Sequence, residues 1–156
     1  AGVKTTGYRN MVDMLQLVRN YYYHPDMKGS NSIKAVLPAV MAAGESIREK
    51  YSKPLKFGTH LKGRVLYELD AETAKPVNPY YLLPSQYGDL DLSTEELMVV
   101  DGEVKDGGAA LVAYAKLQFT DMADAEREAL RKALLQYCEL DTLAMVMIYE
   151  HWMSKA

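Results

Sequence analysis

Residues 126–152 read EREALRKALLQYCELDTLAMVMIYEHW, and the rest of the chain is arranged around what this stretch becomes. It contains neither Gly nor Pro and is rich in Ala, Leu, Met, Glu and Lys, the residues that lose least on entering a helix. At about 100° per residue, Leu130, Leu134, Tyr137, Cys138, Ala144, Met145, Ile148 and Trp152 share one side. Glu128, Lys132, Glu139 and Glu150 share the other. Asp141 falls in the middle of the apolar side. A carboxylate there is costly unless it is paired, hydrogen-bonded or bound to a metal. Tyr137 lies one turn earlier on the same face, so the two side chains can share a site.

The 156 residues fit one domain with a sizeable core. A net charge of −3 gives no global attraction for nucleic acid, though a local basic patch or a bound metal can supply one. The lone cysteine, Cys138, allows no internal disulfide and suits a reducing cytoplasm. No run of about 18 apolar residues exists to span a membrane, and no signal-peptide pattern is present. The opening AGVKTTG lacks an initiator Met. It reads as the start of a piece, which makes the missing N-terminal part of the same protein an expected partner.

Along the chain, Met11, Met14, Leu15 and Val18 suit a helix face, although Val12-Asp13-Met14-Leu15 could equally end a short strand. Tyr21, Tyr22, Tyr23 and His24 follow, closed by Pro25. Tyr22, Tyr23 and His24 can form a base-stacking platform, or they can be amphipathic wall residues with satisfied hydroxyls. Ser30 or Ser32 can cap a helix that begins near Ile33 and buries Val36, Leu37 and Val40. Pro38 is expected to kink it or start a second short turn. The same Gly-Ser-Asn-Ser, with Ser30 and Lys34, is a candidate phosphate spot. His60, near Lys56 and Lys62, either touches a phosphate or lies in a solvated loop. Arg64 to Leu69 reads as a strand, followed by a turn at residues 70–73 and a Pro-rich return. Ser93-Thr94-Glu95-Glu96 resembles a helix start, and Asp101-Gly102-Glu103 is either a turn or a metal motif at a strand end. Ala109 to Leu117 is a compact helix, and Thr120 to Asp124 caps the final one.

Tyr137-Cys138-Glu139-Leu140-Asp141 reproduces the Tyr-x-x-x-Asp third motif of DEDDy-type 3′–5′ exonucleases, which have a ribonuclease H-like fold. The blocks MVDMLQLVRNYYYHPDMKGSNSIKAVLPAV, NPYYLLP, DGGAALVAY and YCELDTLAM together resemble a bacterial family, domain of unknown function 2779, over nearly the whole chain. That family is similar to the same exonucleases. The resemblance implies two-metal phosphodiester hydrolysis with Mg²⁺ or Mn²⁺. Asp141 would be the metal ligand and Tyr137 the residue that positions the attacking water. The first and second acidic motifs of such enzymes do not precede Val12, so the chain resembles the C-terminal half of the domain. One carboxylate will not hold two metals, and the piece by itself is expected to be inactive.

The expected fold is therefore α+β and mostly helical, with one small β-hairpin, as the C-terminal portion of a ribonuclease H-like α/β domain. Its partner would be nucleic acid. An exposed sheet edge or apolar face left by missing strands could be covered by homodimerisation. Without the resemblance, Asp141 could instead cap a second helix, or bond to Tyr137 or Arg127. A degenerate module that binds nucleic acid or protein without cutting is the alternative function.

Overall fold

The structure, a computed structural model, describes residues 11–83 and 107–155. These carry five α-helices: α1 (Met14–Tyr21), α2 (Ile33–Ala43), α3 (Glu45–Tyr51), α4 (Gly107–Phe119) and α5 (Asp124–Met153). Short 3₁₀ turns at Pro25–Met27 and Pro79–Leu82 complete the regular structure. No helix among the described residues is long and apolar enough to cross a membrane.

Helix α5 is the long final element that the sequence predicts. Asp124 and Glu126 in its first turn favour the positive end of the helix dipole, while Ala123 before it offers no capping side chain. The expectation that Thr120–Asp124 caps this helix is therefore met only in position. The helix runs through Asp141 without a break, so no second helix starts there.

Its buried residues differ from the single stripe expected. Leu130, Ala133, Gln136, Tyr137, Leu140, Leu143, Ala144, Met147, Ile148 and His151 are buried, whereas Cys138 is exposed and Met145 is 43% exposed. The reason is that α2, α3 and α4 all pack against α5. A helix covered by neighbours on several sides has no narrow apolar stripe.

Helix α2 is the other central element, with Val36, Leu37, Ala39, Val40 and Met41 all buried. Ser32 caps it by accepting from the Lys34 N–H at 3.4 Å. Pro38 sits inside the helix without ending it. A proline cannot donate to the carbonyl four residues back, which here belongs to Lys34. That carbonyl instead accepts from the Asn78 side-chain amide at 3.1 Å. The helix does not restart at Pro38, and the carbonyl it leaves free is satisfied by a tertiary hydrogen bond.

Helix α1 starts at Asp13, whose carboxylate accepts from Leu15 N at 2.9 Å and Gln16 N at 3.4 Å. Asp13 is an N-cap, so the alternative strand ending at Leu15 does not form. Helix α3 is tied to the far end of α5. Glu150 accepts from Lys50 Nζ at 2.5 Å and from the Tyr51 hydroxyl at 3.0 Å. Tyr51 is fully buried. Burial, followed by that carboxylate, pushes its phenol pKa well above 10.0.

The expected β-hairpin is corrected to an isolated antiparallel bridge, Leu69 with Pro76, and no strand forms among the described residues. Asp70 caps the intervening turn, accepting from Glu72 N, Thr73 N and Thr73 Oγ1 at 2.8–3.1 Å. These bonds, the one from Thr73 N foremost, hold its carboxyl pKa low. Asp70 N donates to the Lys75 carbonyl and Val77 N to the Glu68 carbonyl, while Lys75 N turns to Thr73 Oγ1, so the pairing does not extend beyond this bridge. The described residues thus supply helices and none of a sheet. Ser93–Glu96 and Asp101-Gly102-Glu103 lie outside them.

Candidate functional site

Tyr137 and Asp141 lie one turn apart on α5, and Tyr80 and Lys34 join them from elsewhere in the chain. The Tyr80 hydroxyl donates to Asp141 Oδ1. Tyr80 is 1% exposed, Tyr137 is 6% exposed and Asp141 is half-buried. The two tyrosine rings lie 5.6 Å apart, tilted by 53°. Lys34, in the first turn of α2, places its ammonium 4.8 Å from the Tyr80 ring centre and 5.4 Å from that of Tyr137. Such stacking stabilises a desolvated ammonium by about 1 kcal/mol or more per ring.

The chain builds this corner in steps. Asn78 accepts from Tyr80 N at 3.2 Å, capping the Pro79–Leu82 turn, while its amide donates to the Lys34 carbonyl freed by Pro38. The turn is thereby docked on α2 beside Lys34, and Tyr80 reaches across to α5. Burial, the Asp141 hydrogen bond, the Asp141 charge and Tyr137 together raise the Tyr80 pKa far above 10.0, so the phenol stays a donor. Asp141 therefore accepts from a protonated Tyr80 phenol. The sequence alternative that bonded it to Arg127 does not occur, since Arg127 donates to the Leu117 carbonyl at 2.7 Å.

Lys34 was expected at a phosphate spot with Ser30; the structure assigns the two to different surroundings. Ser30 Oγ accepts from Ser32 N at 3.3 Å in the exposed turn before α2, while Lys34 joins the Tyr80–Tyr137 rings. The proposed stacking platform divides in the same way. Tyr22 packs its ring at 5.8 Å from Trp152 and edge-on to His151 at 6.4 Å, and burial raises its pKa. His24 caps the Pro25–Met27 turn, its Nδ1 accepting from Asp26 N at 3.2 Å. Tyr23, 77% exposed, keeps an open ring, as does Tyr21. The sequence alone assigns Tyr80 no role. Only the neighbouring Asn-Pro, a capping pair with Pro in the first turn, signals that its position is specified.

No group of three or more His, Cys, Asp or Glu side chains able to hold a metal exists among the described residues. Asp141 is the sole carboxylate of this corner there, and it already accepts from Tyr80. A divalent cation needs several oxygen ligands, and a two-metal pair needs bridging carboxylates. The described residues alone do not fit that requirement. A separate groove of about 680 Å³ opens between α4 and α5. Leu111, Tyr114, Arg127, Arg131, Leu134 and Cys138 contribute to its wall, and neither Tyr137 nor Asp141 does.

Set against protein families, curated proteins and solved structures, the chain matches none.

Proposed function

We propose that the chain is the C-terminal part of a ribonuclease H-like, exonuclease-like domain that acts on nucleic acid. Asp141 and Tyr137 would be its contribution to a Mg²⁺- or Mn²⁺-dependent site. The observation that supports this most is a carboxylate held at a half-buried position on an unbroken helix, with a tyrosine one turn before it. This is the placement that the Tyr-x-x-x-Asp motif requires. Because the described residues do not make a metal site alone, the remaining carboxylates must come from elsewhere in the protein. The chain by itself performs no cleavage under this reading.

One observation favours a second reading, a binding or structural module without catalysis. Asp141 accepts a hydrogen bond from a buried tyrosine, which is what a structural carboxylate does.

The test is thermal unfolding of the intact protein with and without Mn²⁺, for wild type and Asp141→Asn. A ligand at about 100 times its Kd adds roughly 2.7 kcal/mol to stability, enough to raise Tm by several degrees. The exonuclease reading expects that rise in wild type and its loss in the variant. The absence of any response to Mn²⁺ in wild type would leave the second reading.

A further inference from the structure

Residues 45–64 carry six Lys or Arg (Arg48, Lys50, Lys53, Lys56, Lys62 and Arg64) against two acids, Glu45 and Glu49, in a chain whose net charge is −3. Lys56, Lys62 and Arg64 lie on one loop. Leu55 N donates to the Arg64 carbonyl at 2.9 Å, and Gly63 N donates to the Leu55 carbonyl at 2.8 Å, so the loop closes on itself. Leu55 and Leu61 anchor it in the core, at 4% and 0% exposure. Their neighbours Lys56 and Lys62 are thereby left exposed.

The loop is also clamped to α5. Glu139 accepts from Thr59 N at 3.0 Å and His60 N at 2.7 Å, and Gln136 donates to the His60 carbonyl at 3.3 Å. Both Glu139 oxygens are therefore engaged by backbone. Glu49 pairs with Lys53 and Glu150 with Lys50, while Arg48, Lys56, Lys62 and Arg64 have no ion pair among the described residues. At the edge of the patch stands Phe57, 46% exposed, with the Lys50 ammonium 5.7 Å from its ring centre.

We propose that this clamped loop and the adjoining α3 form a binding surface for the phosphate backbone of single-stranded nucleic acid, with Phe57 as a base-stacking ring. Unpaired cations on a held loop release counterions from a polyphosphate, and an exposed ring beside them accepts any base. A rigid loop loses little entropy on binding. The preference for nucleic acid over other polyanions rests on the function proposed above, but the surface does not use that site. Glu139 and Asp141 are two residues apart on a helix, which puts them about 160° apart around α5.

The test is fluorescence anisotropy of labelled single-stranded DNA and RNA oligonucleotides, titrated with the full chain at several salt concentrations. The variants are Arg48→Ala/Lys56→Ala/Lys62→Ala and Phe57→Ala, each checked for an unchanged melting curve. The triple variant should bind about tenfold more weakly and lower the log–log salt slope by about 2, at roughly 0.7 per lost phosphate contact. Phe57→Ala should weaken binding with the slope unchanged. Binding that persists without a metal response sinks the exonuclease reading and leaves this one standing. The proposal is overturned if wild type binds neither oligonucleotide, or if the folded triple variant binds as wild type does. It is overturned equally if only vesicles of equal parts phosphatidylcholine and phosphatidylglycerol are bound.

Discussion

Tyr80→Phe and Asp141→Asn, made singly and together, test whether the corner on α5 is held by the bond between these two residues. Tyr80→Phe keeps the ring against Tyr137, 5.6 Å away, and removes only the hydroxyl that donates to Asp141. A hydrogen bond to a charged acceptor contributes about 1.5–3 kcal/mol. Asp141 is half-buried, so water can partly replace the lost donor, and the expected cost is about 1–2 kcal/mol. Asp141→Asn leaves the Tyr80 hydroxyl, in a residue 1% exposed, facing a neutral amide that can still accept. Its expected cost is about 1 kcal/mol. In the double variant the second substitution removes a bond already broken, so the costs should fall short of additivity by about 1 kcal/mol. Urea unfolding followed by far-UV circular dichroism measures all four proteins, with equal slopes required for the comparison. Full additivity would refute the reasoning: Asp141 would then be placed by helix geometry alone, and Tyr80 would be a bystander.

Two further outcomes are expected. Gly58 has φ +95°, and a Cβ there would lie 2.2 Å from Glu139 Oε1, whereas Gly63, at φ +82°, has nothing within 4 Å. Chemical denaturation should therefore show Gly58→Ala costing roughly 2–4 kcal/mol and Gly63→Ala only about 1, and equal costs would mean that Glu139 does not clamp the loop. His151 is 4% exposed with Nδ1 unpartnered among the described residues, and burial first, then Lys155 and His24, lowers its pKa below 6.5. Below that value the unfolded chain takes up a proton that the folded chain resists, so stability should fall as pH drops from 6.5. His151→Leu should flatten that part of a Tm-against-pH profile, and an unchanged slope would rule out this residue as the cause.

Helices α1, α2, α4 and α5 were legible because their signals are local: Ser32 is one of the two serines expected to cap α2, and α5 has no breaker anywhere in it. The Asp13 cap of α1 and the whole of α3, which has no capping side chain, were not. What each face of α5 meets was not legible, because that depends on three helices packing around it. Glu139 and Glu150 are eleven residues apart, nearly in line on the helix surface. On a wheel both read as solvent-facing, yet one binds the loop at residues 59–60 and the other binds α3. The hairpin fails for local reasons: Lys75 N turns back to Thr73 Oγ1 and Pro79 opens a 3₁₀ turn, so the return segment pairs only at Pro76. The Tyr137–Asp141 pair followed from spacing alone. Tyr80 did not, because 61 residues separate it from Asp141 and only the tertiary fold brings them together.

The way Tyr80 arrives bears on how the corner can work. Pro38 withholds an N–H from the Lys34 carbonyl, Asn78 supplies one, and the turn capped by Asn78 carries Tyr80 to Asp141. Each contact follows from the one before and none requires a ligand. The carboxylate is consequently pre-positioned, which a metal site needs, but it is also partly satisfied, which lowers the gain from adding a cation. A metal bound at Asp141 would have to share or displace the Tyr80 hydrogen bond. Helix α5 separates that question from the proposed nucleic-acid contact, because the basic loop is clamped through Glu139 on another side of the helix. Under that proposal, oligonucleotide binding does not depend on whether Asp141 holds a metal. That is why loss of a metal response and loss of oligonucleotide binding must be measured as separate events.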